Sequence, residues 1–140
     1  MFSLWNPPSS GVNAELVDTE IGQVLATTVV DAVGWYYSSG SQALGGTFTT
    51  KGTALSGIIG NVAANKVLPY SAYTHSGTPA RVDIIGSFGA VTDAGFSLPM
   101  KQYDGRIIIP PGTVISVAMS TAAGQTSGLD VSARWIEWPL

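Results

Sequence analysis

Apolar and polar residues alternate along much of this chain with a period of two. Between Thr113 and Ser120, Ile115, Val117 and Met119 fall on one phase and Ser116, Ala118 and Ser120 on the other. Between Leu129 and Trp138, Val131, Ala133 and Trp135 share one phase; Ser132, Arg134 and Ile136 share the other. Side chains of an extended strand point alternately to its two faces, so both stretches predict strands. The segments "VGWYYSSG", "ARVDIIG" and "AGFSLPMK" predict further short strands, the last through Phe96, Leu98 and Met100. "KVLPYSAYTH" holds Pro69, which donates no ladder hydrogen bond, so it belongs at a sheet edge or a bulge.

Two stretches are ambiguous. In Glu20–Asp31, Ile21, Val24, Leu25, Thr28 and Val29 fit helical spacing, but β-branched residues and Gly22 favour a strand buried on both faces, and a strand is expected. Thr53–Lys66 carries Leu55, Ile58, Ile59, Val62 and Ala63 at helical spacing, broken by Gly57 and Gly60. Either a helix or a strand with a loop fits it. Gly45-Gly46 and Asp104-Gly105 read as hairpin turns.

The longest uncharged run, Ile107 to Leu129, raises the question of a membrane span. Pro110, Pro111 and Gly112 interrupt it, and Ser, Thr, Gly and Gln fill its second half. A spanning helix needs about 20 mostly apolar residues, so strand, proline corner, strand is the better reading, and no membrane contact is expected. In total the pattern predicts an all-β fold: a single-domain β-sandwich, jelly-roll-like, of eight or nine short strands. Residues 1–13 read as an N-terminal arm, with Phe2, Leu4 and Trp5 as an apolar tip on the loop Asn6–Gly11, and residues 14–140 as the sandwich. The arm either docks elsewhere, on its own chain or a neighbour, or forms an ordinary first strand. Its start lacks the basic n-region of a signal peptide.

Composition adds a second theme. Only 11% of the 140 residues are charged and 45% are hydrophobic. Few charges are available to keep a monomer apart from its copies, so association with itself or a partner is expected. The net charge is −3, and the three lysines and three arginines are scattered singly. That leaves no basic footprint for nucleic acid. There is no cysteine, which removes disulfides, thiol catalysis and cysteine-based zinc sites.

Candidate chemistry is thin, and no cofactor is expected. His75 is the one histidine, in a loop with no neighbouring ligands to make a metal site. No Gly-x-Ser-x-Gly elbow and no phosphate-binding glycine loop occurs. Asp83, Asp93, Asp104, Asp130 and Glu137 supply carboxylates without an evident pair for hydrolysis. Asp93 and Asp104 read as turn residues, and Asp130 with Arg134 as a surface ion pair. The expectation is a non-enzymatic protein. Trp35, Tyr36, Tyr37, Tyr70, Tyr73 and Tyr103 could line a sugar-binding surface, anchor a subunit interface or fill the core. Trp135 and Trp138 fall on opposite faces of the last strand, so one belongs to the core and the other needs a cover. The interface candidates are Phe2, Leu4, Trp5, Trp35, Tyr36, Tyr37 and Trp138.

From Gly105 to Leu140 the order is a short aliphatic strand, a "PPGT" corner, "VISVAMS", the loop "TAAGQTSG" and the ending "RWIEWP", with Trp135, Glu137 and Pro139. This order resembles small jelly-roll-like β-sandwich structural proteins of tailed bacteriophages. The corner and alternating strand are also similar to the trimeric C1q/TNF-like jelly roll. The resemblance implies a virion component that forms homotrimers. Its expected role is capsid decoration or cement, bridging major capsid protein subunits. The alternative is a carbohydrate- or receptor-binding module of a tail fibre.

Overall fold

In the computed structural model, residues 2–23, 31–49, 51–52, 54, 65–71, 73–88, 100–120 and 129–140 are described. Eleven strands and one short helix occur among them. In chain order these are β1 (Ser3–Asn6), β2 (Val12–Gln23), β3 (Asp31–Ser39), α1 (Gly40–Leu44), β4 (Thr47–Phe48), β5 (Leu68–Tyr70) and β6 (Tyr73–Thr74). They continue with β7 (Ala80–Phe88), β8 (Lys101–Gln102), β9 (Ile108–Ile109), β10 (Thr113–Met119) and β11 (Leu129–Pro139). The fold is all-β, as the alternation predicts. The count exceeds eight or nine because four of the strands are two residues long, too short to show a period.

The first sheet has the order β5-β1-β10-β3-β7; the second is built on β2, with β11 on one edge and β8 and β9 on the other. Every pairing is antiparallel. Of the long strands, β3, β7 and β10 lie in the first sheet and β2 and β11 in the second, and the two sheets face one interior. Leu4, Val33, Trp35, Ile85, Ile115 and Val117 from the first sheet meet Ala14, Leu16, Ile21, Ile107 and Ile109 from the second. Burying such side chains drives the packing, at about 1.5–3 kcal/mol each. The result is a β-sandwich.

The sequence-predicted strand Glu20–Asp31 divides between the two sheets: its start ends β2 and its last residue begins β3. Residues 24–30 lie outside the described residues, as do 55–64, 94–99 and 121–128. Pro69 lies in β5, the edge strand of the first sheet, where a missing N–H costs no interior pairing.

Segment 1–13 contributes β1, which runs between β5 and β10. Leu4 is fully buried and Trp5 is 7% exposed. Two strand edges of its own chain take up this apolar segment, and Phe2 packs edge-on against Trp35, ring centroids 6.2 Å apart. Strand β10 is buried on both faces. Ile115 and Val117 enter the main core, while Val114 joins Trp5, Ala43 and Tyr73 in a second cluster under α1, β4 and β6. Ser116, on the phase of Val114, is buried too and its hydroxyl meets that of Ser3 at 2.9 Å.

Two predicted turns are corrected. Gly45 caps the C-terminus of α1 rather than turning a hairpin. Asp104 and Gly105 do form a tight turn: both have positive φ, 48° and 77°, and the Arg106 N–H donates to the Tyr103 carbonyl at 3.0 Å. Yet β8 and β9 do not pair with each other. They lie in line along the same edge of β2, with Tyr103 N–H on the Val17 carbonyl and Leu16 N–H on that of Ile107. Two-residue segments find more hydrogen bonds on a twelve-residue strand than on one another, so the turn bulges out of one interrupted edge strand. The proline corner is tied to β1: Gly112, φ 77°, donates to the Asn6 carbonyl at 2.7 Å. The Asn6 amide also donates to the carbonyls of Ile109 and Val12 at 2.8 and 2.9 Å.

Candidate interaction surface

The last strand shows how its two phases are used. Val131, Ala133 and Trp135 pack on the main core, in agreement with the alternation. The opposite phase turns outward and ends apolar: Ile136 is 44% exposed, Trp138 51% and Leu140 74%. Cross-strand register sets Ile136 beside Glu15 of β2, and Glu15 beside Ile108 of β9. Ile108 is itself 48% exposed. Three neighbouring strands therefore present isoleucine, glutamate and isoleucine in one outward row. The Trp138 indole N–H donates to Glu15 Oε2 at 2.9 Å, which holds the ring over that row. Aromatic residues with one polar handle and a free face are enriched at interfaces.

Ile108 also borders a cavity of about 310 Å³ at one open edge of the sandwich. Tyr37, Thr113 and Ile115 of the first sheet, Val82 of β7, and Arg106 and Ile107 line it. Tyr37 and Val82 are 41% and 40% exposed there. Arg106 makes no ion pair among the described residues; the two that occur are Lys101–Asp83, at 2.8 Å, and Arg134–Asp18. A second cavity, about 320 Å³, opens on the other edge beside Phe2, Pro69 and Trp135.

The remaining sequence candidates take up positions inside the chain. Trp35, Tyr73 and Tyr103 are buried, so they do not form a surface that could stack on sugars. The Trp35 indole donates to Thr19 Oγ1 at 3.1 Å within the core. Burial pushes the Tyr103 phenol up to about 12. Tyr36 and Tyr70 are half-buried, and of the six aromatic candidates Tyr37 is the most exposed. Leu4, Trp5 and Trp35 have their surface covered within the chain, while Tyr37 and Trp138 face outward.

Arg134 does not pair with Asp130 as the sequence suggested. Residues four apart on a strand are separated by about 13 Å. Arg134 instead grips Asp18 on the adjacent strand, Nε to Oδ1 at 2.9 Å and Nη2 to Oδ2. Glu137 is a structural acid: its oxygens accept the backbone N–H groups of Lys66 and Val67 at 2.9 and 3.0 Å and the Trp135 indole at 3.2 Å. Asp104 is the turn residue it was read as, and Asp93 lies outside the described residues.

His75 follows β6 and is half-buried rather than a plain surface residue. Its Nδ1 lies 2.6 Å from the Ser38 hydroxyl, and its ring meets Tyr73 edge-on at 4.7 Å. Burial lowers its pKa. The pair has a serine and a histidine, but Ser38 is 1% exposed and closed to a substrate. Among the described residues no group of three or more histidine or acidic side chains could hold a metal ion. No described helix is long and apolar enough to cross a membrane.

Three surface residues are not among the sequence-predicted interface candidates. Ile136 and Leu140 share the outward phase of Trp138 in "RWIEWPL", where only Trp138 was a candidate. Ile108 sits in an aliphatic triplet, and on a strand such a run must put an apolar side chain on each face. Comparison with known proteins found no matching family model, no similar curated protein and no similar solved structure.

Proposed function

We propose that this chain is a non-enzymatic structural protein of a tailed-phage virion, of the capsid decoration or cement type, which works through subunit contacts as a trimer. The observation that carries the subunit-contact part is the outward apolar row of Ile108, Ile136, Trp138 and Leu140. On a chain with 11% charged residues, that surface favours a covered state. The virion assignment rests on the resemblance of residues 105–140, from the "PPGT" corner to the "RWIEWP" ending. Glu137 and Trp135 of that ending gain a physical role as the tie between the last strand and the lead into β5.

Size exclusion with light scattering, followed by co-sedimentation with capsids that lack this protein, tests the reading. A trimer at micromolar concentration that sediments with the capsids is the expected result. A monomer at high micromolar concentration that leaves the capsids bare sinks it.

One observation favours a second reading, a glycan-binding module. The exposed Trp138 ring lies beside the polar Glu15 and Asn13, and a flat ring next to hydrogen-bonding groups suits a sugar face. A glycan array with no signal removes it.

A further inference from the structure

The outward row and the cavity share Ile108, and their charges are opposite. The row carries Glu15, one carboxylate oxygen of which is held by the Trp138 indole. The cavity carries Arg106, which has no ion pair among the described residues, within a lining that is otherwise apolar or hydroxyl-bearing. One surface offers an aromatic side chain with an acid beside it. The other offers an apolar recess with a guanidinium at its wall. Arginine pairs with carboxylates and stacks on tryptophan faces, so the row carries groups that suit the cavity wall, and Glu15 itself lies beside Gly105 at the same edge.

We propose that a second copy of this chain fills the cavity: Trp138 of one copy seats against Tyr37 and Val82 of the next, with Glu15 beside Arg106 across the contact. The inference deepens the self-association reading and rests on it. The contact is head to tail, because the surface that inserts differs from the surface that receives. Repetition of such a contact gives a closed ring where its rotation completes a circle and an open filament otherwise. The recess is of the size that takes small ligands, and a side chain with two rotatable bonds enters it at low entropic cost.

The test uses the full chain and three substitutions at exposed or half-buried positions. Trp138→Ala is expected to raise the dissociation constant of the oligomer about tenfold or more, the usual effect of losing a central aromatic anchor. Arg106→Glu alone is expected to weaken association, and Arg106→Glu combined with Glu15→Arg to restore it. Circular dichroism melts of each variant check that the fold is retained.

The chain has no cysteine, so a cross-link gives an independent readout. Asn13 stands opposite Trp138 in the β2–β11 register, and Ser39 lines the cavity. Under oxidation, a mixture of Asn13→Cys and Ser39→Cys chains is expected to form mixed disulfide dimers in excess of either homodimer. An oligomer that persists in Trp138→Ala with no mixed disulfide assigns the cavity to another occupant. That outcome overturns this contact while leaving self-association intact. A wild-type chain that stays monomeric overturns both.

Discussion

The carboxylate of Glu137 accepts the backbone N–H of Val67 at 3.0 Å, and so joins the last strand to a segment 70 residues earlier. Its other oxygen takes the N–H of Lys66. These amides precede β5, an edge strand with only three residues of its own. Replacing Glu137 with Ala leaves both amides and the Trp135 indole without this acceptor. The expected loss is about 2–3 kcal/mol of unfolding free energy, given the cost of abandoning hydrogen bonds to a charged group. Glu137→Gln keeps one acceptor oxygen and is expected to lose less. Urea denaturation of the two variants checks the order; equal loss contradicts the acceptor role.

Gly34 stands where β3 passes a bulge in its pairing with β7. A Cβ built there comes 2.3 Å from the Asp83 carbonyl oxygen, a backbone atom that cannot rotate away. Gly34→Ala must part the two strands and is expected to cost about 3 kcal/mol. Gly22→Ala serves as control, because its nearest neighbour would be 3.9 Å away. Thermal melts should separate the two by a wide margin. A Gly34→Ala protein as stable as Gly22→Ala contradicts the close approach.

His75 links stability to mild acid. Burial lowers its pKa in the folded chain, whereas the unfolded chain protonates it at about 6.5. Below that pH the unfolded state therefore holds more protons, and stability falls as pH drops from about 6.5 to the folded-state pKa. The midpoint temperature is expected to fall between pH 7.5 and 5.5. In His75→Gln, which does not titrate, this part of the slope should vanish. A slope that is unchanged in the variant rules out His75 as its source.

Tyr103 gives the opposite dependence at high pH. Its folded pKa is raised to about 12, chiefly by burial, against 10 unfolded. The unfolded chain loses its proton first, so stability is intact below pH 10 and declines as pH rises toward 12. Tyr103→Phe is expected to melt at a higher temperature than the wild type at pH 11, relative to their difference at pH 8. If the difference is the same at both pH values, the phenol is not the titrating group.

Local patterns carried much of the fold. The alternation in "VISVAMS" and "VSARWIEW" identified β10 and β11 and the inward phase of each, because the period of two is a property of the extended backbone. Pro69 announced an edge for an equally local reason, its missing N–H. Among the two-residue strands, β9 was legible as the short aliphatic strand before the proline corner and β6 lies within "KVLPYSAYTH", whereas β4 and β8 depend on partners far away in the chain. The glycine pair at 45–46 looked like a hairpin until the helix before it was seen, and the Asp104-Gly105 turn was correct locally but wrong in what it joined.

The candidate surface divides in the same way. Trp138 was marked from its phase opposite Trp135, and the expectation that one of the two needs a cover came from sequence. Its neighbour Glu15 lies 123 positions earlier in the chain, and only the β11-β2-β9 register sets Glu15 beside the last strand and Ile108. The same holds for Arg134, whose partner Asp18 comes from β2 and not from its own strand.

By itself, then, the sequence determined the all-β class, the positions of β3, β7, β10 and β11 and the inward phase of β11, because backbone period and hydrophobic burial act over a few residues. The tertiary structure decided which edges meet, which aromatic side chains are consumed in the core, and that Ile108 joins an acidic apolar row to an arginine-lined cavity. Those outcomes depend on register between distant strands, and register is set by packing the whole chain around one core.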